Sequence, residues 1–192
     1  MNGGFTFVFG TLTLEGPAAG PATIDVASHN SLSSSDFASS APIALRANTT
    51  INTVSAQSSL TVAGPITGPI TGPGVVLTKA GPGTLTLTGV SSVSSYAQTN
   101  VMAGTLNIRA GANVSDNIGT VGATINGPAG TVNVIGPSMW TNNQLTVGVF
   151  GTGILNITNG GQVTDSLGQI GPSGTDSQSD SEPEATHHRR HP

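Results

Sequence analysis

Gly153-Ile154-Leu155-Asn156-Ile157-Thr158-Asn159-Gly160-Gly161-Gln162-Val163-Thr164-Asp165-Ser166-Leu167-Gly168 repeats, without a gap, an earlier stretch of the same chain. That stretch is Gly104-Thr105-Leu106-Asn107-Ile108-Arg109-Ala110-Gly111-Ala112-Asn113-Val114-Ser115-Asp116-Asn117-Ile118-Gly119, 49 residues upstream and identical at eight of sixteen positions. The shared residues are glycines at turns, aliphatics at alternate positions and one aspartate, which marks a repeat protein.

Shorter echoes set the period. Gly83-Thr84-Leu85-Thr86-Leu87, Gly104-Thr105-Leu106-Asn107-Ile108, Gly130-Thr131-Val132-Asn133-Val134 and Gly153-Ile154-Leu155-Asn156-Ile157 follow one another at 21, 26 and 23 residues. A sandwich or up-and-down barrel places turns every 8–12 residues or so but requires no longer phrase of this kind. A parallel β-helix does require one, because the same strand of each coil stacks on the last at about 4.8 Å. The expected fold is therefore all-β, a parallel β-helix of roughly seven coils of about 23 residues over 1–171, about 35 Å long. Leu85, Leu106, Val132 and Leu155 are expected to form one internal ladder, and Leu87, Ile108, Val134 and Ile157 the next. Thr86, Asn107, Asn133 and Asn156 are expected outside.

Upstream, the period-two runs at 5–14, Ala22–Val26, Ile43–Leu45, Thr50–Ile51 and Leu60–Val62 read as short strands. Ser28 to Pro42 reads as a serine-rich loop. Gly64-Pro65-Ile66-Thr67-Gly68-Pro69-Ile70-Thr71-Gly72-Pro73 puts proline at every fourth position, which removes ladder donors and predicts a corner with short pairing. Residues 172–192 contain four of the nine acids, three of the four histidines and no apolar residue larger than alanine, so they are expected to be disordered.

Charged residues are 7% of the chain, against about a quarter in ordinary domains. Residues 1–171 hold only Glu15, Asp25, Asp36, Arg46, Lys79, Arg109, Asp116 and Asp165. A formal net charge of −4 offers no basic field for nucleic acid or anionic lipid. The absence of cysteine removes disulfides, thiolate metal sites and a thiol nucleophile. No apolar run is long enough to cross a bilayer as a helix. The opening Met1-Asn2-Gly3-Gly4-Phe5 lacks a positive region ahead of an apolar core, so no signal peptide is read there.

Leu77-Thr78-Lys79-Ala80-Gly81-Pro82-Gly83-Thr84-Leu85-Thr86-Leu87-Thr88-Gly89, with Ser95-Tyr96 and Thr99-Asn100-Val101-Met102-Ala103-Gly104-Thr105-Leu106-Asn107-Ile108, resembles the autotransporter-associated β-strand repeat of type V secretion passenger domains. Residues 121–171, through Gly130–Val134, Met139–Asn143, Leu145–Gly148 and Gly153–Gly161, are similar to the companion repeat of related surface proteins. The two matches cover about half of the chain. The resemblance implies a right-handed parallel β-helix displayed at the cell surface or secreted, acting as a stalk or adhesin. It also implies a host-surface or matrix protein or a glycan as partner. Family members also carry an export signal and a C-terminal membrane barrel, neither of which is matched here, so the chain reads as a fragment without membrane insertion of its own.

The residues offer little chemistry. His29 lies near Asp25, Asp36 and many serines, but no glycine-flanked nucleophile accompanies them, and they read as solvated loop residues. Asp116 and Asp165 align two coils apart, about 10 Å by strand spacing, and their repeated place after a strand reads as a turn role. That spacing is just beyond the range of about 5–9.5 Å at which paired carboxylates work in glycoside hydrolysis. His187, His188 and His191 lack partner ligands for a metal. Met139-Trp140 reads as packing on a coil edge, with a contact patch as the other option. The sequons at Asn48, Asn113 and Asn156 read as chance. No catalytic, cofactor-binding or metal residue is assigned. The expected function is a non-enzymatic structural or adhesive module, the alternative being a carbohydrate-active β-helix enzyme, and open coil ends suggest self-association.

Overall fold

Alternation of apolar and small polar residues buries one side of a strand and leaves the other outside, and here it does so three times per coil. The computed structural model describes the chain apart from residues 1–4, 8–10, 16–20, 27–34, 69–73, 90–92, 125–126, 149–150, 172–176 and 182–192. Its strands are β1 (Phe5–Phe7), β2 (Leu12–Leu14), β3 (Ala22–Val26), β4 (Ser35–Ser39), β5 (Ile43–Leu45), β6 (Thr49–Thr53), β7 (Ser58–Val62), β8 (Ile66–Thr67), β9 (Val76–Ala80), β10 (Thr84–Thr88) and β11 (Val93–Ser95). They continue as β12 (Gln98–Val101), β13 (Gly104–Arg109), β14 (Asn113–Ser115), β15 (Ile118–Val121), β16 (Gly130–Ile135), β17 (Met139–Thr141), β18 (Gln144–Val147), β19 (Gly153–Thr158), β20 (Gln162–Thr164), β21 (Leu167–Ile170) and β22 (Ser177–Ser181).

Every third strand pairs in parallel with the last, which gives a three-sided β-solenoid. Sheet A runs β1-β4-β7-β10-β13-β16-β19-β22, sheet B runs β2-β5-β8-β11-β14-β17-β20, and sheet C runs β3-β6-β9-β12-β15-β18-β21. About five turns are regular, fewer than the seven expected. Coil length also varies: Phe5 pairs with Phe37, 32 residues on, whereas Thr84 pairs with Thr105 and Thr131 with Ile154 at offsets of 21 and 23.

The predicted internal ladders hold in register. Leu85, Leu106, Val132 and Leu155 are paired in line, as are Leu87, Ile108, Val134 and Ile157. All are buried except Ile157, which is partly buried. Full burial of each aliphatic stabilises by roughly 1.5–3 kcal/mol, and stacking supplies that burial to coils that lack it alone. Thr86 departs from its expected exposure, at 4%. Thr61 and Asn107 flank it in the same row at one strand spacing.

Two segments differ from the sequence reading. Within the expected loop at Ser28–Pro42, Ser35–Ser39 is strand β4, held by backbone pairing to β1 and β7. Within the expected disordered tail, Ser177–Ser181 is strand β22 beside β19. In both, main-chain ladder bonds need no aliphatic side chain, so a polar sequence does not exclude the strand. In the described part of the proline-rich corner pairing is short, β8 being two residues long, and residues 69–73 lie outside the described residues.

Glycine matters most where sheet C turns into sheet A. Gly104 has φ +67°, and a Cβ there would come within 2.4 Å of the Gly83 carbonyl oxygen, so no other residue fits. At the last regular coil the core thins out. Leu167 is 61% and Ile170 58% exposed on β21, and Leu12 is 45% exposed at the opposite end.

Candidate functional site

Sheet B passes into sheet C through two residues, the first turned into the solenoid and the second away. The pairs are Tyr96-Ala97, Asp116-Asn117, Asn142-Asn143 and Asp165-Ser166, and strand register places them in one column. Backbone bonds tie the column together: the Asp116 N–H donates to the Thr141 carbonyl at 3.0 Å and the Asn142 N–H to the Thr164 carbonyl at 2.8 Å. The column is a corner built by the repeat, and its side chains differ from coil to coil.

Asp116 is the hub of a buried cluster. It accepts from the Thr99 hydroxyl, from Trp140 Nε1 at 2.9 Å and from Asn142 Nδ2 at 3.0 Å. Thr99 sits on the coil before and Trp140 and Asn142 on the coil after, so one carboxylate joins three coils. Trp140 fits because Gly119 lies opposite it, where a Cβ would come within 2.7 Å of Trp140 Cζ2. Burial raises the Asp116 carboxyl to about 6, against the pull of the Thr99, Trp140 and Asn142 donors. Burial, and then the Asp116 charge, push the fully buried Tyr96 phenol well above its ordinary range. The Tyr96 hydroxyl and Asn142 Oδ1 are buried in this cluster without hydrogen-bond partners among the protein atoms.

Lys79 is a third buried ionisable group. Its register places it in the inward row of sheet C between Ile51 and Val101. The ammonium donates to the carbonyls of Ala80 at 2.9 Å, Gly81 at 2.8 Å and Ala103 at 2.9 Å. Three backbone dipoles thus replace its lost water. Burial lowers it to about 8.

The other singled-out residues are dispersed. Asp165 does align with Asp116 two coils on but is exposed, so only Asp165 fits the turn role expected of both. The reason is that Asp116 alone has donors on neighbouring coils. Asp25 accepts from Asn52 Nδ2 at 2.9 Å on the outer face of sheet C. Trp140 is inside the coil instead of on its edge, because its register with Val114 and Val163 turns it inward; Met139 beside it is outside. Asn48 Oδ1 accepts from the Val76 N–H at 3.0 Å, and Asn156 Nδ2 donates to Asn133 Oδ1 at 2.8 Å. His29, His187, His188 and His191 lie outside the described residues, as does the side chain of Asp36. Among the described residues no three of His, Cys, Asp and Glu gather to hold a metal. Among the described residues no helix is long and apolar enough to cross a membrane.

Lys79, Tyr96 and Thr99 were not singled out from sequence, although one signal was available. Leu77 faces inward, and period two then carries Lys79 and, through strand pairing, Thr99 to the same side. Comparison with family models, with curated proteins and with solved structures finds no match to this chain.

Proposed function

We propose that this chain is a non-enzymatic structural and adhesive repeat module, of the kind found in surface-displayed passenger domains of type V secretion. The observation that carries this reading is the sealing of Asp116: its three hydrogen bonds go to Thr99, Trp140 and Asn142 inside the coil. A carboxylate spent in this way joins coils and has no route to a substrate. The outer surface, by contrast, carries rows of threonine and asparagine with few charges among them, suited to contact over a long face. The resemblance of Leu77–Gly89 and Thr99–Ile108 to passenger repeats supports surface display and a host-surface protein, matrix protein or glycan as partner. Leu167 and Ile170, exposed at one end, support self-association through the coil ends.

The test is to incubate the purified chain with a panel of acidic and neutral polysaccharides and, separately, to fuse it to an export signal and membrane barrel and score adhesion of the displaying cells. Adhesion without depolymerisation is expected. Release of reducing or unsaturated ends, lost in Asp116→Asn or Asp165→Asn, sinks the reading in favour of a carbohydrate-active enzyme.

A further inference from the structure

Asparagine followed by glycine sets a side-chain amide beside the least obstructed backbone nitrogen, since glycine has no Cβ to shield its own N–H. The chain holds three such pairs, Asn2-Gly3, Asn126-Gly127 and Asn159-Gly160. Asn2, Gly3 and Asn126 lie outside the described residues, and the Gly127 N–H is engaged, donating to the Thr124 carbonyl at 3.2 Å.

Asn159-Gly160 is placed differently. It forms the turn that leads from sheet A to sheet B after β19, with Asn159 at φ +53° and Gly160 at φ +83°, and both are exposed. Nothing lies within 4 Å of where a Cβ on Gly160 would stand, and its N–H has no acceptor among the described residues. The same turn occurs two coils earlier at Ala110-Gly111, with φ +57° and +81°. There the next coil covers it: Gly111 is buried and its N–H donates to Ser138 Oγ at 3.1 Å. Asn117 and Asn143 are exposed as well, but Ile118 and Gln144 follow them, and those side chains obstruct the nitrogen.

The left-handed conformation is one that a residue with a Cβ leaves readily. The turn is closed by the Gly161 N–H donating to the Thr158 carbonyl at 3.0 Å. When that bond opens, Asn159 can swing its Cγ over the Gly160 nitrogen.

We propose that Asn159-Gly160 is a self-modification site, at which Asn159 deamidates through a succinimide and converts in part to isoaspartate. The Gly160 nitrogen bonds to Asn159 Cγ as the Cγ–Nδ2 bond breaks, and the proton of the Gly160 N–H passes through solvent to Nδ2, which leaves as ammonia. Water then opens the ring at Cγ to give aspartate, or at the main-chain carbonyl carbon of residue 159 to give isoaspartate. The second product carries its main chain through Cβ and Cγ, one methylene longer. No oxidant or reductant takes part.

The extra methylene falls where the coil has no slack. The Thr158 carbonyl accepts from the N–H groups of both Gly161 and Gly136, the latter at 3.1 Å. Gly161 sits so close to β16 that a Cβ there would come within 2.3 Å of the Val134 carbonyl oxygen. Strand β20 follows at once, tied to the coil before by the Gln162 N–H donating to the Ser138 carbonyl at 2.9 Å. A longer turn pulls β20 away from β17, so the last regular coil loosens with age. This holds for a stalk displayed on a cell and for a free protein alike, and does not depend on the passenger reading.

The experiment ages the full 192-residue chain in mildly alkaline buffer at physiological temperature, folded and in urea, and maps isoaspartate by methyltransferase labelling and peptide mass. Labelling at Asn159 in the folded chain is expected, with the mass gain of an amide exchanged for a carboxyl. Hydrogen exchange at Gln162 is expected to be about tenfold faster in the aged chain than in the fresh one, the loss of about one shielded hydrogen bond. Asn159→Gly, which suits the left-handed turn and has no amide to lose, is expected to show neither change. Labelling at Asn159 in urea but not in the folded chain overturns the proposal, and this comparison needs no variant. A labelled Asn159 with Gln162 exchange unchanged overturns the loosening, as does faster exchange on ageing that persists in Asn159→Gly.

Discussion

Asp116 and Asp165 occupy the same corner two coils apart, follow the same kind of strand, and live in opposite environments. Asp116 is buried among three donors; Asp165 is exposed. The coil that carries each residue does not make the difference. Thr99, one coil before Asp116, offers a hydroxyl, whereas its counterpart one coil before Asp165 is Leu145. Trp140 and Asn142 lie one coil after Asp116, while among the described residues no strand of sheet B follows β20. A repeat therefore fixes where a side chain points, and the neighbouring coils decide what it does there.

The largest way to break this contrast is to remove the aromatic that closes the hub. Trp140→Ala is expected to destabilise the chain by about 3–5 kcal/mol, since a fully buried indole leaves a cavity and strips Asp116 of a donor. Val163→Ala, in the same row one coil later and only partly buried, is expected to lose about 1 kcal/mol. Urea unfolding followed by circular dichroism compares the two. Equal losses would mean that the coil of Asp165 is packed as tightly as that of Asp116.

Acidity sharpens the buried side of the comparison next. The folded chain holds the Asp116 proton more tightly than the unfolded chain, with the carboxyl raised from 3.8 to about 6. Between those values the folded state binds more protons, so its stability falls as pH rises, by on the order of 3 kcal/mol at most. Lys79 acts on the alkaline side: lowered from 10.5 to about 8, it makes the unfolded state bind more protons across that interval, and stability rises again with pH. Tyr96, held above its ordinary range, opposes that recovery from about pH 10 upward. The expected profile of melting temperature has its minimum between about pH 6 and 8. Asp116→Asn should flatten the acid limb, helped by Asn142 Oδ1, which has no partner and can receive the new amide once the Asn142 side chain flips. A flat acid limb in the unaltered chain would show that Asp116 is not held in this environment.

Most of the architecture was legible because it rests on period. Leu106, Val132 and Leu155 declare their ladder through the spacing of the Gly-Thr-Leu-Asn-Ile phrase, and the register follows without any pairwise information. Strands β4 and β22 were not legible, because their places depend on main-chain pairing to neighbours and their serine-rich sequences read as coil. The Asp116 cluster was half legible. Alternation puts Lys79 and Thr99 inside, but joining Thr99, Asp116 and Trp140 requires knowing which residues of three coils stand side by side. The 21- and 26-residue spacings around that place blur this alignment in the sequence.

The outer asparagines extend the same contrast to the surface, where effects are smallest. Asn133 stands mid-ladder, half-buried, donating to Asn107 and accepting from Asn156. Asn143 also donates to an asparagine one coil back, Asn117, at 2.8 Å, but at an exposed corner where water competes for the same bond. Asn133→Ala is therefore expected to cost about 1 kcal/mol, close to the net contribution of a partly shielded hydrogen bond. Asn143→Ala is expected to stay within about 0.5 kcal/mol of the unaltered chain. Thermal melts of the two variants decide it. If they match, the ladder on sheet A aligns its amides without strengthening the coil, and shielding by neighbouring coils matters only inside the solenoid.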